Sequence, residues 1–363
     1  MSVPVLFLSL LQVIHGSGAS NDSLRGATQD ASLSFSDRSK AYQQLLQKYP
    51  SDISLYSEYA SLLIANRAYE PALTWIRKGI ARAPSDTTLR LRKAIALNAV
   101  GKSEASLTIL KSLPATAESR LYMGFASRAL GDHESARKYL SEAWDSGVRD
   151  PYTLYSLIEE DHALADKTAG LRHYQTFLTH FPDSAWLHVL YANAYAQKNQ
   201  DAEARKEYQE ALRIKADLPG VNFRLGYLMY RDNQHRSAAE CFRKELDLNP
   251  YYSDANLFLG QTLRNLGQED EAVGYFRKAI ALDPASDLAY RAVIGILTDK
   301  GDLGGAAGIL KKAEEQFPTD PGFPAQLARI LTKLNREEEA LKEQEKFRLL
   351  QESRRGKPVG KKQ

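Results

Sequence analysis

Cysteine is nearly absent: the 363 residues contain one, Cys241, so no disulfide can form within the chain. It sits between Glu240 and Phe242 in a helical pattern, and nothing beside it argues for a depressed thiol pKa. It reads as a small apolar filler. Apolar sequence of membrane-spanning length is missing too. The run at residues 3–14 (VPVLFLSLLQVI) falls short of the ~20 residues a spanning helix needs. Residues 1–19 carry no Lys, Arg, Asp or Glu and end on Ser17-Gly18-Ala19, a small-x-small pattern. The expectation is a secretory signal peptide over 1–19, and hence export to a periplasmic or extracellular location. The missing positive n-region leaves open an uncleaved anchor, with membrane contact, or a buried helix of a cytoplasmic protein. No cysteine follows the run, which excludes a lipoprotein anchor.

Strong net charge is also lacking. A formal value of +3 gives no reason to expect nucleic-acid binding. The basic excess lies in residues 354–363, where Arg354, Arg355, Lys357, Lys361 and Lys362 occur without an acid. That stretch reads as a solvated, disordered tail.

Signatures of chemistry are absent as well. The seven histidines (His15, His133, His162, His173, His180, His188 and His235) show no HExxH or other paired metal-ligand spacing. There is no phosphate-binding Walker loop, dinucleotide fingerprint or GxSxG elbow. Glu159 and Glu160 are neighbours in sequence, so a helix would point them apart and keep them from sharing a substrate. No catalytic residue, metal site or cofactor is expected, and the chain reads as a non-enzyme.

What the sequence does contain is a period. Prolines at 50, 84, 182, 250, 284 and 318 recur at 34 residues or its multiples, apart from one shifted interval. The clearest unit, SDANLFLGQTLRNLGQEDEAVGYFRKAIALDPAS from Ser253, reads as helix, turn at Gly267, helix, and a stop at Pro284. This frame gives nine units starting near 53, 87, 117, 151, 185, 219, 253, 287 and 321. Their twentieth residue is always small: Ala72, Ser106, Ala136, Gly170, Ala204, Ala238, Ala272, Ala306 and Ala340. The eighth is small except at Ile158 and Ile294. The twenty-fourth is bulky (Ile76, Leu110, Leu140, Tyr174, Tyr208, Phe242, Phe276, Leu310) until Gln344, after which no unit follows to cover it. Small residues let two helices approach, and the bulky one fills the space toward the next unit.

This pattern resembles the tetratricopeptide repeat, and the resemblance covers about residues 53–350. It implies an all-α fold, a right-handed superhelix (an α-solenoid) of about nine helix–turn–helix repeats. The family's aromatic at the fourth position is kept at Tyr56 and Tyr290 but lost at Arg90, Arg120, His188, Asn222 and Asn256. Residues 20–33 read as a flexible linker and 34–353 as the solenoid. Within it, 34–49 form a leading helix and 336–352 a charged closing helix.

The resemblance also implies a function: holding protein or peptide partners on the concave face lined by the first helices. Positions five, six, nine, twelve and thirteen of each unit would line it. They give Tyr122, Phe125, Arg128, Tyr155, Glu159, His162, Asn193, Gln197, Arg224, Tyr227, Arg231, Gln261, Arg264, Asn265 and Arg291. Arg224, Tyr227, Arg231 and Arg264 would form a basic, aromatic wall suited to an acidic partner. Two binding schemes of the family are not met. A carboxylate clamp would pair Lys at position five with Asn at nine, but Asn193 follows Val189, and no asparagine ladder runs along position six. The leading expectation is an adaptor or scaffold in the cell envelope. A membrane-anchored assembly factor and a regulatory subunit of a transferase are the alternatives.

Overall fold

The computed structural model describes residues 23–354, and every regular element among them is an α-helix. The expected signal peptide and tail residues 355–363 lie outside the described residues. Twenty helices form ten antiparallel pairs. The first is α1 (Ser23–Gln29) with α2 (Phe35–Lys48), followed by α3 (Ile53–Ala65) with α4 (Tyr69–Ile80) and α5 (Thr87–Ala99) with α6 (Ser103–Lys111). Next come α7 (Ala117–Ala129) with α8 (His133–Asp145), α9 (Pro151–Ala163) with α10 (Lys167–His180), and α11 (Ala185–Gln197) with α12 (Asp201–Ile214). The remaining pairs are α13 (Val221–Arg231) with α14 (His235–Leu248), α15 (Ser253–Asn265) with α16 (Glu269–Leu282), α17 (Asp287–Asp299) with α18 (Leu303–Gln316), and α19 (Gly322–Lys333) with α20 (Glu337–Arg354).

The stretch expected as a linker, 20–33, is corrected in part: Ser23–Gln29 is helical and packs on α2. Thr28 is buried there, and the Arg38 guanidinium donates to its carbonyl at 3.0 Å. Tertiary contact organises a polar segment whose composition alone favours a loop.

The chain divides into two units. The first comprises Met1–Val221 with Leu248–Tyr251, and the second Asn222–Asp247 with Tyr252–Gln363. Both are built from the same local chemistry. Second helices α2, α10, α14, α16 and α18 each stop two residues before a proline, which can neither donate to the ladder nor tolerate a helical predecessor. Every first helix from α3 onward is followed two residues later by a left-handed residue at position fifteen: Arg67, Gly101, Gly131, Ala165, Asn199, Asn233, Gly267, Gly301 and Asn335. The next N–H reaches back five residues, as from Asp166 to Asp161 O (2.9 Å) or Gln268 to Leu263 O (2.8 Å), and reverses the chain within one turn.

Close packing within each pair follows the small-residue rule. A Cβ placed on Gly124 would lie 2.6 Å from Leu140, one on Gly226 3.0 Å from Phe242, and one on Gly260 2.8 Å from Phe276. The bulky partner is thereby sealed. Phe242, Phe276, Leu140 and Leu310 have no exposed surface, and each contributes about 1.5–3 kcal/mol by burial. Second helices then bed against the next pair's first helix, α4 on α5, α6 on α7, α8 on α9, α16 on α17 and α18 on α19.

The first unit also makes contacts between pairs that are not neighbours. Arg67 lies 3.9 Å from Asp217, and the Tyr69 and Tyr251 rings are 6.3 Å apart. Burial pushes the Tyr69 phenol up to about 12.

Candidate protein-binding surface

In the first unit the residues expected to line a binding face are largely spent on one another. Tyr122, Phe125 and Tyr155 are buried with Tyr152 and Trp186. Phe125 lies 5.5 Å from Tyr152 between ring centres, Tyr152 4.7 Å from Trp186, and Trp186 4.5 Å from Tyr155. Burial raises the Tyr122 phenol far above its ordinary value.

Beside these rings runs a polar network. Arg128 of α7 is 3.1 Å from Glu160 and 3.7 Å from Glu159. Burial alone would lower the Arg128 pKa, but Tyr152, Tyr155, Glu159 and Glu160 around it raise it, so the guanidinium stays charged. His133 Nδ1 reaches the other oxygen of Glu160 at 2.7 Å, and that carboxylate is 1% exposed. Asp161, fully buried, meets His173 at 2.6 Å and Arg137 at 3.6 Å. Both carboxylates thus lie against one guanidinium of the fold itself, that of Arg128. The network continues through Asn193, whose Nδ2 donates to Glu159 at 3.0 Å and whose Oδ1 accepts from Tyr208 at 2.6 Å. Gln197 is exposed and pairs with His162 at 3.2 Å.

The second unit presents a different face. Tyr227 of α13 is 38% exposed and stands edge-on to Phe258 of α15, with ring centres 5.1 Å apart. Phe223 lies 5.8 Å from Phe258 and Tyr230 lies 5.7 Å from it, so an aromatic wall spans two first helices. Arg264 is exposed and makes no ion pair among the described residues. One of its guanidinium nitrogens lies 3.9 Å from where a Cβ of Gly295 would stand, in room the glycine leaves. Arg224 and Gln261 are half-buried, and Arg231 is exposed. Asn265 is exposed within 3.5 Å of His235. Arg291 is committed within the fold: it binds Asp287 at 3.2 Å and Asp320 at 2.5 Å, and lies 4.6 Å over the Phe323 ring. Cys241 is buried on α14 with its sulfur 3.8 Å from that of Met229, and burial raises its pKa.

Beyond Arg291 the last pair adds residues not singled out from the sequence. Gln326, Arg329 and Lys333 border a groove of about 710 Å³ that also reaches Gln344 and Phe347 of α20. They occupy positions six, nine and thirteen of the final unit, so the rule that selected Arg264 would have found them had it been carried one unit further. Among the described residues no group of three or more His, Cys, Asp or Glu is placed to hold a metal ion, and no helix is long and apolar enough to cross a membrane.

Residues 192–233 match a family described as TPR repeat, and 223–287 one described as tetratricopeptide repeat. No curated protein matches the chain. Among solved structures, the Cut9–Hcn1 hetero-tetramer of the APC/C aligns with a TM-score of 0.50 at 16% identity, over 81% of this chain and 59% of that one, a likeness of fold. A MamA protein aligns at 0.45 and 16% identity, over 50% of this chain and 100% of its own. MamA from Desulfovibrio magneticus RS-1 aligns at 0.41 and 20%, over 47% and 97%.

Proposed function

We propose, from the premise that the chain is a tetratricopeptide-repeat protein, that it works without catalysis by holding an acidic segment of a partner protein against the first helices α13 and α15. The observations that support this most are an exposed aromatic on α13, Tyr227, and an exposed cation on α15, Arg264, which makes no ion pair among the described residues. An exposed Tyr–Arg combination beside a rigid aromatic wall supplies apolar contact and charge-assisted hydrogen bonds at small entropic cost. The apolar, charge-free residues 1–19 favour a site of action in the cell envelope. Mass measurement of the mature protein tests that part. Loss of about the first 19 residues is expected, and an intact N-terminus would favour the anchored assembly factor.

The binding reading is tested with the double variant Tyr227→Ala, Arg264→Glu. Affinity capture from the native extract with the parent chain should retain partner proteins that the variant loses, while circular dichroism shows both chains folded. Retention of the same partners at the same yield would remove this wall from consideration.

A further inference from the structure

We infer that the groove between α19 and α20 is a seat for an acidic amphipathic helix of a partner protein, added to the stack where the first helix of another pair would lie. The seat stands apart from the α13–α15 wall and does not depend on it. The argument begins with the repeat itself. In interior pairs the second helix supports the first helix of the next pair, as α16 supports α17 and α18 supports α19. The residues beneath that following helix at position twenty-seven are sealed: Ala143, Ala279 and Ala313 have no exposed surface. Phe347 occupies the same position on α20, is only half-buried, and lines the groove. At position twenty-four Gln344 is exposed where Leu140, Phe242, Phe276 and Leu310 are sealed. Among the described residues no helix follows α20 to cover either one.

The groove's chemistry selects the occupant. Its lining includes Ala325, Ala328, Ile330, Thr298, Thr332 and Phe347. Both threonine hydroxyls are spent on their own helix, Thr298 on Ile294 O at 2.7 Å and Thr332 on Ala328 O at 2.9 Å, which leaves their methyls as the groups offered to a guest. Small side chains and methyls are what allow one helix to approach another. Arg329 and Lys333 stand exposed one turn apart on the rim, make no ion pair among the described residues, and have no acid beside them in the lining. A guest helix with an apolar stripe therefore gains from carboxylates flanking that stripe, and one flanked by cations is repelled.

The test uses a fluorescein-labelled peptide of about 14 residues, the length of one first helix, with Ala and Leu on one face and Glu on its flanks. Fluorescence anisotropy against the full chain should show saturable binding. The same peptide with Lys for Glu, and an acidic version broken by two central prolines, should each bind at least about ten-fold more weakly. The Arg329→Glu, Lys333→Glu chain should lose at least about ten-fold in affinity, and Thr332→Trp, which fills the groove and keeps its charges, should lose as much. The Tyr227→Ala, Arg264→Glu chain should bind the peptide like the parent. Equal binding of the Lys peptide or the proline-broken peptide would overturn the assignment, as would unchanged affinity in the Arg329/Lys333 variant. So would a dimer of the chain that Phe347→Asp dissociates while the peptide fails to bind, because that would give the seat to a second copy.

Discussion

The two units share one scheme of packing and differ in how they use the arginine at position twelve. In each, a glycine or alanine on the first helix admits a bulky residue of the second, Gly124 with Leu140 in one and Gly260 with Phe276 in the other. At the positions expected to face a partner they diverge. Arg92 in the first unit is held by Glu118 at 2.6 Å and Ser61 at 2.9 Å, and Arg128 by Glu159 and Glu160. In the second unit Arg264, Arg329 and Lys333 make no ion pair among the described residues, while Arg291 is tied to two acids. One residue type at one repeat position is thus a cross-link between pairs in the first unit and an available contact in the second. A repeat fixes where a side chain stands. Whether that side chain is available depends on what the neighbouring pair presents, so fold and function separate at this point.

The largest expected effect breaks this contrast if it is wrong. Glu160→Ala removes a buried carboxylate that holds both Arg128 and His133, and should destabilise the chain by about 3 kcal/mol, because a buried guanidinium is left undercompensated. Arg264→Glu in the second unit should change stability by no more than about 0.5 kcal/mol, as expected of an exposed side chain without an ionic partner. Urea denaturation of the two variants beside the parent measures both. Similar losses would show that the cations of the second unit are structural as well.

A smaller effect sharpens the picture of the first unit through pH. Asp150 caps α9, accepting from the N–H groups of Tyr152 and Thr153 at 3.0 Å each, yet burial holds its carboxyl above the ordinary 3.8. Its folded form binds the proton more tightly than the unfolded chain does. The stability tied to that proton is therefore full below the ordinary carboxylate range and lost as pH rises through the raised folded pKa. Asp166 caps α10 in the open, and there the Ala169 N–H and then Arg137 hold the carboxyl below 3.8. Its contribution is present above the ordinary value and lost as pH falls through the depressed one. Relative to the parent, Asp150→Asn should therefore melt better at neutral pH than near pH ~2, and Asp166→Asn worse. Melting curves at the two pH values check both, and a shared sign would contradict the assigned burial of Asp150.

Much of this architecture was legible in the sequence, and the unread part has a physical reason. The frame starting at 53, 87, 117, 151, 185, 253 and 287 coincides with the first residues of α3, α5, α7, α9, α11, α15 and α17, and α13 and α19 begin at Val221 and Gly322. Packing of small against large leaves a strong trace because every pair must repeat it. Turn chemistry left a fainter one: position fifteen is left-handed throughout, yet Arg67 and Ala165 hide the Gly/Asn preference. Least legible was the state of each candidate side chain. Tyr122 and Asn193 occupy positions of the expected face but are buried, and Asn193 is reached by Tyr155 and Tyr208 from other helices. Repeat position gives direction along one helix, and pairing such as His133 with Glu160 is decided by a helix elsewhere in the chain. The expected contact residues therefore divide between an internally satisfied set and one that a partner can reach.

Those same turns carry the smallest expected effect. In the second unit every position fifteen is Asn or Gly: Asn233, Gly267, Gly301 and Asn335. The first unit instead places Arg67 at φ 60° and Ala165 at φ 56°, where a Cβ crowds the following carbonyl. Ala165 is exposed and its N–H bonds to His162 O at 3.0 Å, so glycine keeps the turn and removes only the crowding. Glycine also loses more backbone entropy on folding, which offsets part of the relief. Ala165→Gly should therefore stabilise the chain by about 0.5–1 kcal/mol. Gly267→Ala, the reverse exchange in the second unit, should cost about 1 kcal/mol. Chemical denaturation of both variants reads the difference. A loss at Ala165→Gly would mean that the methyl makes contacts worth more than the strain, and the turns of the two units would then differ in kind.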